Sequence, residues 1–228
     1  RMIEYIRNQG YDRLAVVYAD NAYGQGLVEL LTRACKSNAI TVVDIHRNFI
    51  NQVEFEQQYQ KWQALDAEAV FIADSLSTGG DVIRQIRSQS ADLPILSVGG
   101  FSFGDVNVML DGSGDNISYI DPYHFEQTAK VRAFQESYRI KFAEEPGLFS
   151  VEGYNILHIL AQAIEEAGSA NPAAVSQVLK SGREWKSTAG NIHFDEQGNM
   201  MGRKVTLVEL KKGTYTYYAY LPERGEGQ

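Results

Sequence analysis

Short apolar runs and amphipathic stretches alternate along the first hundred residues. The apolar runs predict buried strands at Leu14–Tyr18, Ile40–Ile45, Ala69–Ala73 and Ile95–Val98. The stretches between them carry apolar residues at helical spacing and predict helices at Gly24–Cys35, Val53–Leu65 and Gly79–Ser88. Such alternation indicates βαβ units and a parallel sheet. We therefore expect a doubly wound α/β fold, in which ligands bind beyond the carboxyl ends of the strands.

The alternation stops after Gly99. A short helix at Asp105–Leu110 and a strand at Asn116–Ile120 lead to a break at Asp121-Pro122. Helices without an intervening strand are then predicted at Gln127–Phe142, Val151–Ala167 and Pro172–Leu179. Alternating patterns near the end predict strands at Asn191–Phe194, Lys204–Glu209 and Thr214–Tyr220. These strands supply only part of a sheet, so the apolar stripes on Val131–Tyr138 and Tyr154–Ile164 should be exposed unless another segment or chain covers them.

Composition narrows the classes of partner. The 228 residues include 21 basic and 29 acidic side chains, which gives a net charge of −8 and argues against nucleic acid and anionic membranes as partners. Cys35 is the single cysteine, so the chain has neither an intrachain disulfide nor a cysteine metal site. It is predicted to be an inert buried thiol. The sequence has no apolar run near the ~18 residues of a membrane helix.

The first candidate site is the loop between the Leu14–Tyr18 strand and the next helix. Glycines at 24 and 26 should let backbone approach backbone, and the free N–H groups of the helix start favour an anionic ligand group. An equally good interpretation is a tight turn in which Asp20 or Asn21 caps the helix. Tyr23, beside the carboxyl end of a strand, is predicted to contact a ligand, with Asn21 next to it.

Two further strand ends carry polar or glycine-rich loops. Asp74 and Ser75 follow the Ala69–Ala73 strand, and their carboxylate and hydroxyl would suit a ligand's polar groups, Asp74 an ammonium in particular. Ser77 or Thr78 would equally cap the following helix. Gly100 and Phe101 follow the next strand. Since the carboxyl ends of parallel strands share one edge of a sheet, these loops together predict one edge of a cleft.

Patterns typical of enzymes are missing from the sequence. It has no Gly-x-Ser-x-Gly elbow and no Walker pattern, and its histidines do not form a His-x-x-x-His pair. His158 is predicted to lie at the edge of a core. The Asp111–Asn116 segment imitates the start of a calcium loop, but Pro122 stands where the bidentate Glu belongs, so it is a turn. We expect no catalytic residue, no metal and no cofactor.

Several short motifs, in order, resemble the leucine/isoleucine/valine-binding protein family of type I periplasmic binding proteins. They are Asp20–Gly26, Phe55–Phe71, Gly80–Arg87, Glu145-Pro146, Glu152–Asn155, Ala163–Ser169 and Gly190–Gly198. The family implies two α/β lobes that close on a small solute, and no chemistry. It also implies that this chain, which begins inside a helical pattern, lacks the N-terminal part of the first lobe. Residues 1–120 would then form one complete lobe, 121–203 the returning part of the other, and 204–228 the final crossover strands.

The resemblance also assigns residues and a role. Tyr23 falls on a ligand-contacting tyrosine, Phe149 near a pocket aromatic, and Ser75 where leucine-binding members have a tyrosine. Gly100 replaces the glutamate that pairs with the ligand's amino group, which leaves ligand identity open unless Asp74 substitutes for it. The implied function is a periplasmic or extracellular solute-binding protein of an ABC importer, with an amino acid or related amide or carboxylate in an interlobe cleft and a membrane permease as partner. A ligand-sensing receptor ectodomain is the alternative.

Overall fold

The computed structural model describes residues 1–48, 52–90, 92–102, 105–122, 129–188, 190–203 and 205–218. The chain divides into two compact units. Unit 1 comprises Arg1–Asp121 and Thr206–Gln228, and unit 2 comprises Pro122–Val205. Unit 1 therefore takes in the C-terminal strands as well as the first 121 residues. Among the described residues, no helix combines the length and the apolarity required to cross a membrane.

Unit 1 alternates helices and strands in the predicted order. Its helices are α1 (Met2–Gln9), α2 (Ala22–Ser37), α3 (Gln52–Ala64), α4 (Leu76–Gln89) and the short α5 (Val106–Met109). Its first strands are β1 (Arg13–Tyr18), β2 (Thr41–Arg47), β3 (Ala69–Ala73), β4 (Ile95–Ser97) and β5 (Ile117–Asp121). In unit 1, the largest difference from the predicted bounds is the start of α4, which begins three residues early, with Ser75 at the N-cap position.

Unit 2 holds the elements that follow β5, up to residue 205. Its helices are α6 (Ala129–Phe142), α7 (Leu148–Ala167) and α8 (Pro172–Leu179), and its strands are β6 (Trp185–Ser187), β7 (Gly190–Phe194) and β8 (Met200–Met201). The chain then returns to unit 1 as β9 (Thr206–Lys211) and β10 (Thr214–Tyr218). The predicted positions 127, 128, 204, 219 and 220 lie outside the described residues.

The sheet of unit 1 has the order β10-β9-β5-β4-β3-β1-β2. Strands β1 to β5 are parallel, whereas β9 pairs antiparallel with both β5 and β10. At the end of the β5–β9 ladder, Asp121 pairs with Thr206. The chain thus leaves unit 1 and re-enters it at two residues that pair directly with each other in the sheet.

Both faces of this sheet are covered, which confirms the doubly wound α/β class. Alternate residues along β1 point to opposite faces: Ala15 and Val17 pack with α3 and α4, whereas Leu14 and Val16 pack with α1 and α2. Cys35 of α2 is fully buried, as expected, and burial raises the pKa of its thiol to about 11. A thiol so protected stays protonated and unreactive at neutral pH.

A buried polar cluster links α1 to the C-terminal strands. The Tyr5 hydroxyl donates to Glu209 Oε1 (2.6 Å) and lies 2.8 Å from Ser118 Oγ. The Tyr218 hydroxyl donates to Glu209 Oε2 (2.8 Å), and Lys211 Nζ lies 3.1 Å from Oε1. Burial raises the pKa of Glu209, but these hydrogen bonds outweigh burial and the net shift is downward.

Unit 2 has its own small core, and its long helix α7 differs from the prediction. The buried face of α7 carries Val151, Asn155, Ile159 and Ala163, whereas Leu157 of the predicted stripe is 68% exposed. His158 is exposed as well, with its ring 4.3 Å from that of Tyr154, so its predicted place at a core edge is wrong. The helix is apolar around most of its circumference, so the pattern does not single out one face.

Part of the apolar surface of unit 2 is exposed, as the sequence predicts. The predicted apolar stripe of α6 is not exposed, since Val131 and Phe134 are buried. Ile156 and Leu160 of α7 are exposed and line a cavity of about 150 Å³ together with Ile192 and Phe194.

Candidate ligand-binding site

The carboxyl ends of β1, β3 and β4 lie side by side in unit 1. The three strands are neighbours in the order β4-β3-β1, and all run parallel. Parallel strands place the loops that follow them at one edge of the sheet. The loops that carry Tyr23, Asp74 and Gly100 therefore meet at this edge, which is where an open α/β sheet binds its ligands.

The loop after β1 is fixed by a helix cap. Asn21 is the N-cap of α2, and its Oδ1 accepts a hydrogen bond from the Gly24 N–H at 3.0 Å. Asp20 Oδ1 accepts from the Gln25 side-chain amide at 3.0 Å. The capping interpretation of Asn21 is therefore confirmed, and a ligand contact of its side chain stays a prediction.

Of the two glycines in this segment, only Gly24 is needed for close approach. A Cβ at Gly24 would lie 2.1 Å from the carbonyl oxygen of Ala19, whereas a Cβ at Gly26 would meet nothing within 4 Å. The expectation of close backbone approach is confirmed for Gly24 and wrong for Gly26.

Asp74, directly after β3, is buried with 3% of its surface exposed. Its Oδ1 accepts from the Ser75 N–H (2.6 Å) and from the Thr78 hydroxyl, and its Oδ2 accepts from Asn48 Nδ2 (2.8 Å). The carboxylate lies behind the surface and ties together segments after β2 and β3. Direct contact with a ligand ammonium, as the sequence suggested, does not fit this position.

Asn48 is the residue of this edge that the sequence analysis missed. Its backbone N–H donates to the Tyr18 carbonyl (2.7 Å), and its side chain donates both to Asp74 and to the Thr78 carbonyl (3.2 Å). Its position just after β2, at the carboxyl end of a parallel strand, is the signal that would have found it. The predicted strand ended at Ile45, three residues short of this position.

At Gly100, the loop after β4 packs closely against the segments that follow β1 and β3. It lies in a 3₁₀ turn, Gly99–Phe101, and a Cβ there would lie 2.6 Å from the Asp74 carbonyl oxygen and 3.2 Å from the Tyr23 hydroxyl oxygen. The structure thus places Tyr23, Asp74, Ser75 and Gly100 next to one another. A side chain at position 100 has no room while this loop keeps its conformation.

Tyr23 is the most exposed residue of this cluster. It is 46% exposed, whereas Ser75 is half-buried and its Oγ lies 2.8 Å from Ser77 Oγ and 2.9 Å from Thr78 Oγ1. Burial raises the pKa of Tyr23, a hydrogen bond from the Gly100 backbone lowers it, the Asp74 charge raises it, and the net shift is upward. The phenol is therefore protonated at neutral pH and has a proton to donate.

Of the two predicted phenylalanines, one belongs to unit 1 and the other to unit 2. The ring of Phe101 is fully buried in the core of unit 1, 6.1 Å from the ring of Tyr119, so contact between this ring and a solute would require the loop to rearrange. Phe149 belongs to α7 of unit 2 and is 75% exposed. A group of three or more side chains suited to a metal ion is not found in the described part of the chain. The described groups at this edge, which include the Tyr23 and Ser75 hydroxyls, can form hydrogen bonds with a polar ligand.

Comparison with known proteins identifies the family of this chain. A family model for periplasmic binding proteins matches residues 1–214. The chain belongs to this periplasmic binding protein family. Among solved structures, a substrate-binding protein of an ABC transporter from Desulfitobacterium hafniense is 25% identical with a TM-score of 0.79, and the match covers 95% of this chain and 63% of that one. A leucine-binding protein from Thermotoga maritima is 21% identical, also with a TM-score of 0.79, over 95% and 62% of the two chains.

Curated relatives confirm the resemblance to Leu/Ile/Val-binding proteins. A leucine-, isoleucine-, valine-, threonine- and alanine-binding protein of Pseudomonas aeruginosa is 22% identical over 199 residues, which are 87% of this chain and 53% of the relative. A Leu/Ile/Val-binding protein homologue of Brucella abortus is 23% identical over 220 residues, 92% of this chain and 57% of the relative. The periplasmic binding protein chain described here thus spans about half the length of the curated relatives it matches.

Proposed function

We propose that this chain acts as a solute-binding protein of an ABC importer and that it binds a small polar solute at the carboxyl edge of the unit 1 sheet. The observation that carries the proposal is the convergence of Tyr23, Ser75 and Gly100 at that edge, around a buried Asp74. The solute class is an amino acid or a related amide or carboxylate. The partner would be the importer's membrane permease, and the location would be outside the cytoplasm.

The names of the relatives support this class of solute. The proteins of Pseudomonas and Brucella are named for branched-chain amino acids, and one solved neighbour, 19% identical to this chain, holds isoleucine. Another neighbour, 18% identical, holds benzoate, so the same fold also accepts a carboxylate without an amino group. Fold likeness alone therefore leaves the solute open, and the side chains of this chain must select it.

The geometry suits binding by hydrogen bonds from a rigid platform. Asp74 ties Asn48 and Thr78 together, and the Ser75 hydroxyl is held by Ser77 and Thr78. Preorganisation of this kind lowers the entropic cost of binding. Binding then stabilises the loaded conformation by population shift, without any reaction.

A Tyr23→Phe variant of the full-length protein tests the site. It removes one hydroxyl and keeps the ring, so we expect the solute dissociation constant from calorimetry to rise about 3- to 10-fold for an uncharged solute group, and more for a charged one. The matched control is Tyr11→Phe, since Tyr11 lies just before β1 at the opposite edge of the same sheet. It should bind like the wild type.

Two results would contradict the proposal. One is the absence of any binding isotherm or thermal shift across amino acids, their amides and small carboxylates. The other is equal solute affinity for Tyr23→Phe and the wild type, which would leave binding intact but remove it from this edge.

A further inference from the structure

Helix α5 ends in a Schellman motif that has an aspartate where such motifs usually have a glycine. The Gly112 N–H donates to the Asn107 carbonyl at 2.9 Å and the Asp111 N–H to the Val108 carbonyl at 3.2 Å, which is the hydrogen-bond pattern of this motif. Asp111 has a φ of 49°, in the left-handed region that favours glycine. The backbone is therefore strained at Asp111, at the end of a helix of only four residues.

The carboxyl group of Asp111 lies at the surface, beside a residue without a side chain. The Asp111 side chain is 88% exposed and lies 4.0 Å from Arg84 Nη2, in a surface ion pair of a kind that is worth little. The next residue is Gly112, and a Cβ built there would meet nothing within 4 Å. The sequence contains no other Asp-Gly dipeptide and no Asn-Gly dipeptide. A ring between the Gly112 nitrogen and Asp111 Cγ has room to form here once the Gly112 hydrogen bond opens.

We propose that Asp111-Gly112 is a site of covalent self-modification, at which Asp111 converts to isoaspartate. The Gly112 backbone nitrogen attacks Asp111 Cγ and loses its proton, and one carboxyl oxygen leaves as water, which closes a five-membered imide. Water then adds to one of the two imide carbonyls. Addition at Cγ restores aspartate, whereas addition at the backbone carbonyl carbon leaves the chain joined through Cγ, as isoaspartate. The two steps release and take up one water, and neither step oxidises or reduces the protein.

The end of α5 can open at low cost, which ring closure requires. Gly112 must give up its hydrogen bond to Asn107 before its nitrogen can reach Asp111 Cγ. The helix buries little apolar surface at this end, since Val108 is 69% and Met109 39% exposed. Segments with few buried contacts open locally well below the free energy of global unfolding. Isoaspartate adds one methylene to the backbone, so the product no longer fits the two hydrogen bonds of the motif and α5 loosens.

The end of α3 provides a matched control in the same chain. The Asp66 N–H donates to the Gln63 carbonyl and the Ala67 N–H to the Trp62 carbonyl, both at 3.0 Å, so this is a second Schellman motif. Asp66 is exposed and has a φ of 50°, almost the value of Asp111. The following residue makes the difference, because Ala67 has a Cβ that hinders attack and it packs against the core of unit 1.

The test is to age the folded full-length protein at neutral pH for several weeks and to measure isoaspartate at both positions. Electron-transfer fragmentation of the peptides distinguishes isoaspartate from aspartate, which has the same mass. We expect the isoaspartate fraction at Asp111 to rise steadily and the fraction at Asp66 to stay at its starting value. No rise at Asp111, or equal rises at the two positions, would overturn the inference.

Two substitutions at position 111 test the chemistry and its consequence. In Asp111→Asn, attack by the Gly112 nitrogen releases ammonia instead of water, so we expect conversion of the new amide to aspartate and isoaspartate, with a change of mass. Asp111→Gly removes the reacting carboxyl and suits the positive φ, so we expect no modification and a chain at least as stable as the wild type.

Hydrogen exchange in α5 (Val106–Met109) reports the structural effect independently of these products. Protection of this helix should fall in the aged wild type and stay constant in aged Asp111→Gly. An aged Asp111→Asn variant that keeps its amide, or an equal loss of protection in the wild type and Asp111→Gly, would contradict the inference.

Discussion

At the scale of single residues, the sequence indicates which side chains lie at the binding edge but not what each of them faces. Tyr23, Asp74, Ser75 and Gly100 were predictable because each follows an apolar strand that could only be buried. The inward turn of Asp74 was not predictable, since it depends on Asn48, 26 positions away, donating to Oδ2. Long-range hydrogen bonds of this kind leave no periodic trace in the sequence.

Two glycines in one helix give a residue-scale prediction. Gly24→Ala should destabilise unit 1 by about 1–3 kcal/mol, because its Cβ would collide with the Ala19 backbone. Gly26→Ala is the matched control and should stabilise the protein by up to about 1 kcal/mol, since alanine is the better helix former and the position is open. Urea denaturation of both variants measures the difference, and equal effects would contradict the described path of the loop.

At the scale of elements, strand and helix positions followed from the apolar pattern, whereas the sheet order did not. Buried strands such as β1 and β3 can be recognised in the sequence as continuous apolar runs, because both faces of a buried parallel strand are apolar. The insertion of β9 beside β5 brings together residues far apart in the sequence, as shown by the hydrogen bond between Tyr5 and Glu209, 204 positions apart. The pattern of β9 itself, with Glu209 and Lys211 beside apolar residues, gives no hint that Glu209 is buried.

The Glu209 cluster that joins these elements predicts a pH dependence. The folded-state pKa of Glu209 is lowered, so its contribution is fully present above its unfolded pKa, near 4.3, and is lost as the pH falls through the folded value. Glu209→Gln should therefore cost about 1–3 kcal/mol of unfolding free energy at pH 7. The cost should shrink as the pH falls below about 4.

Urea denaturation of the wild type and Glu209→Gln at pH 7 and pH 3.5 checks this prediction. Glu4→Gln is a suitable control, because Glu4 is an exposed carboxylate on α1 in a surface ion pair with Arg1, which is worth little. A Glu209→Gln cost that stays constant with pH would show that the cluster acts by packing and not by charge.

At the scale of the whole chain, each unit has its own core. Ile83 belongs to the core of unit 1 and Ile159 to the smaller core of unit 2. We expect Ile159→Ala to lower hydrogen-exchange protection in β6 and β7 and leave that of β1 and β3 unchanged, and Ile83→Ala to do the opposite. Mass spectrometry of peptides from each unit measures this. A uniform loss of protection in both variants would show that the two units unfold together.

The pairing of Asp121 with Thr206 makes residues 122–205 an insertion in a β-hairpin. Residues paired across an antiparallel ladder have Cα atoms only about 4.5–5.5 Å apart, a gap that a two-residue turn spans. Replacing the whole insertion with Asn-Gly should therefore leave β5 and β9 as an ordinary hairpin and yield a shorter chain that melts cooperatively as a single α/β domain. A cooperative thermal melt of that shorter chain would show that unit 2 can be excised, and the Asp121–Thr206 pair would then offer a site for grafting other domains into this scaffold.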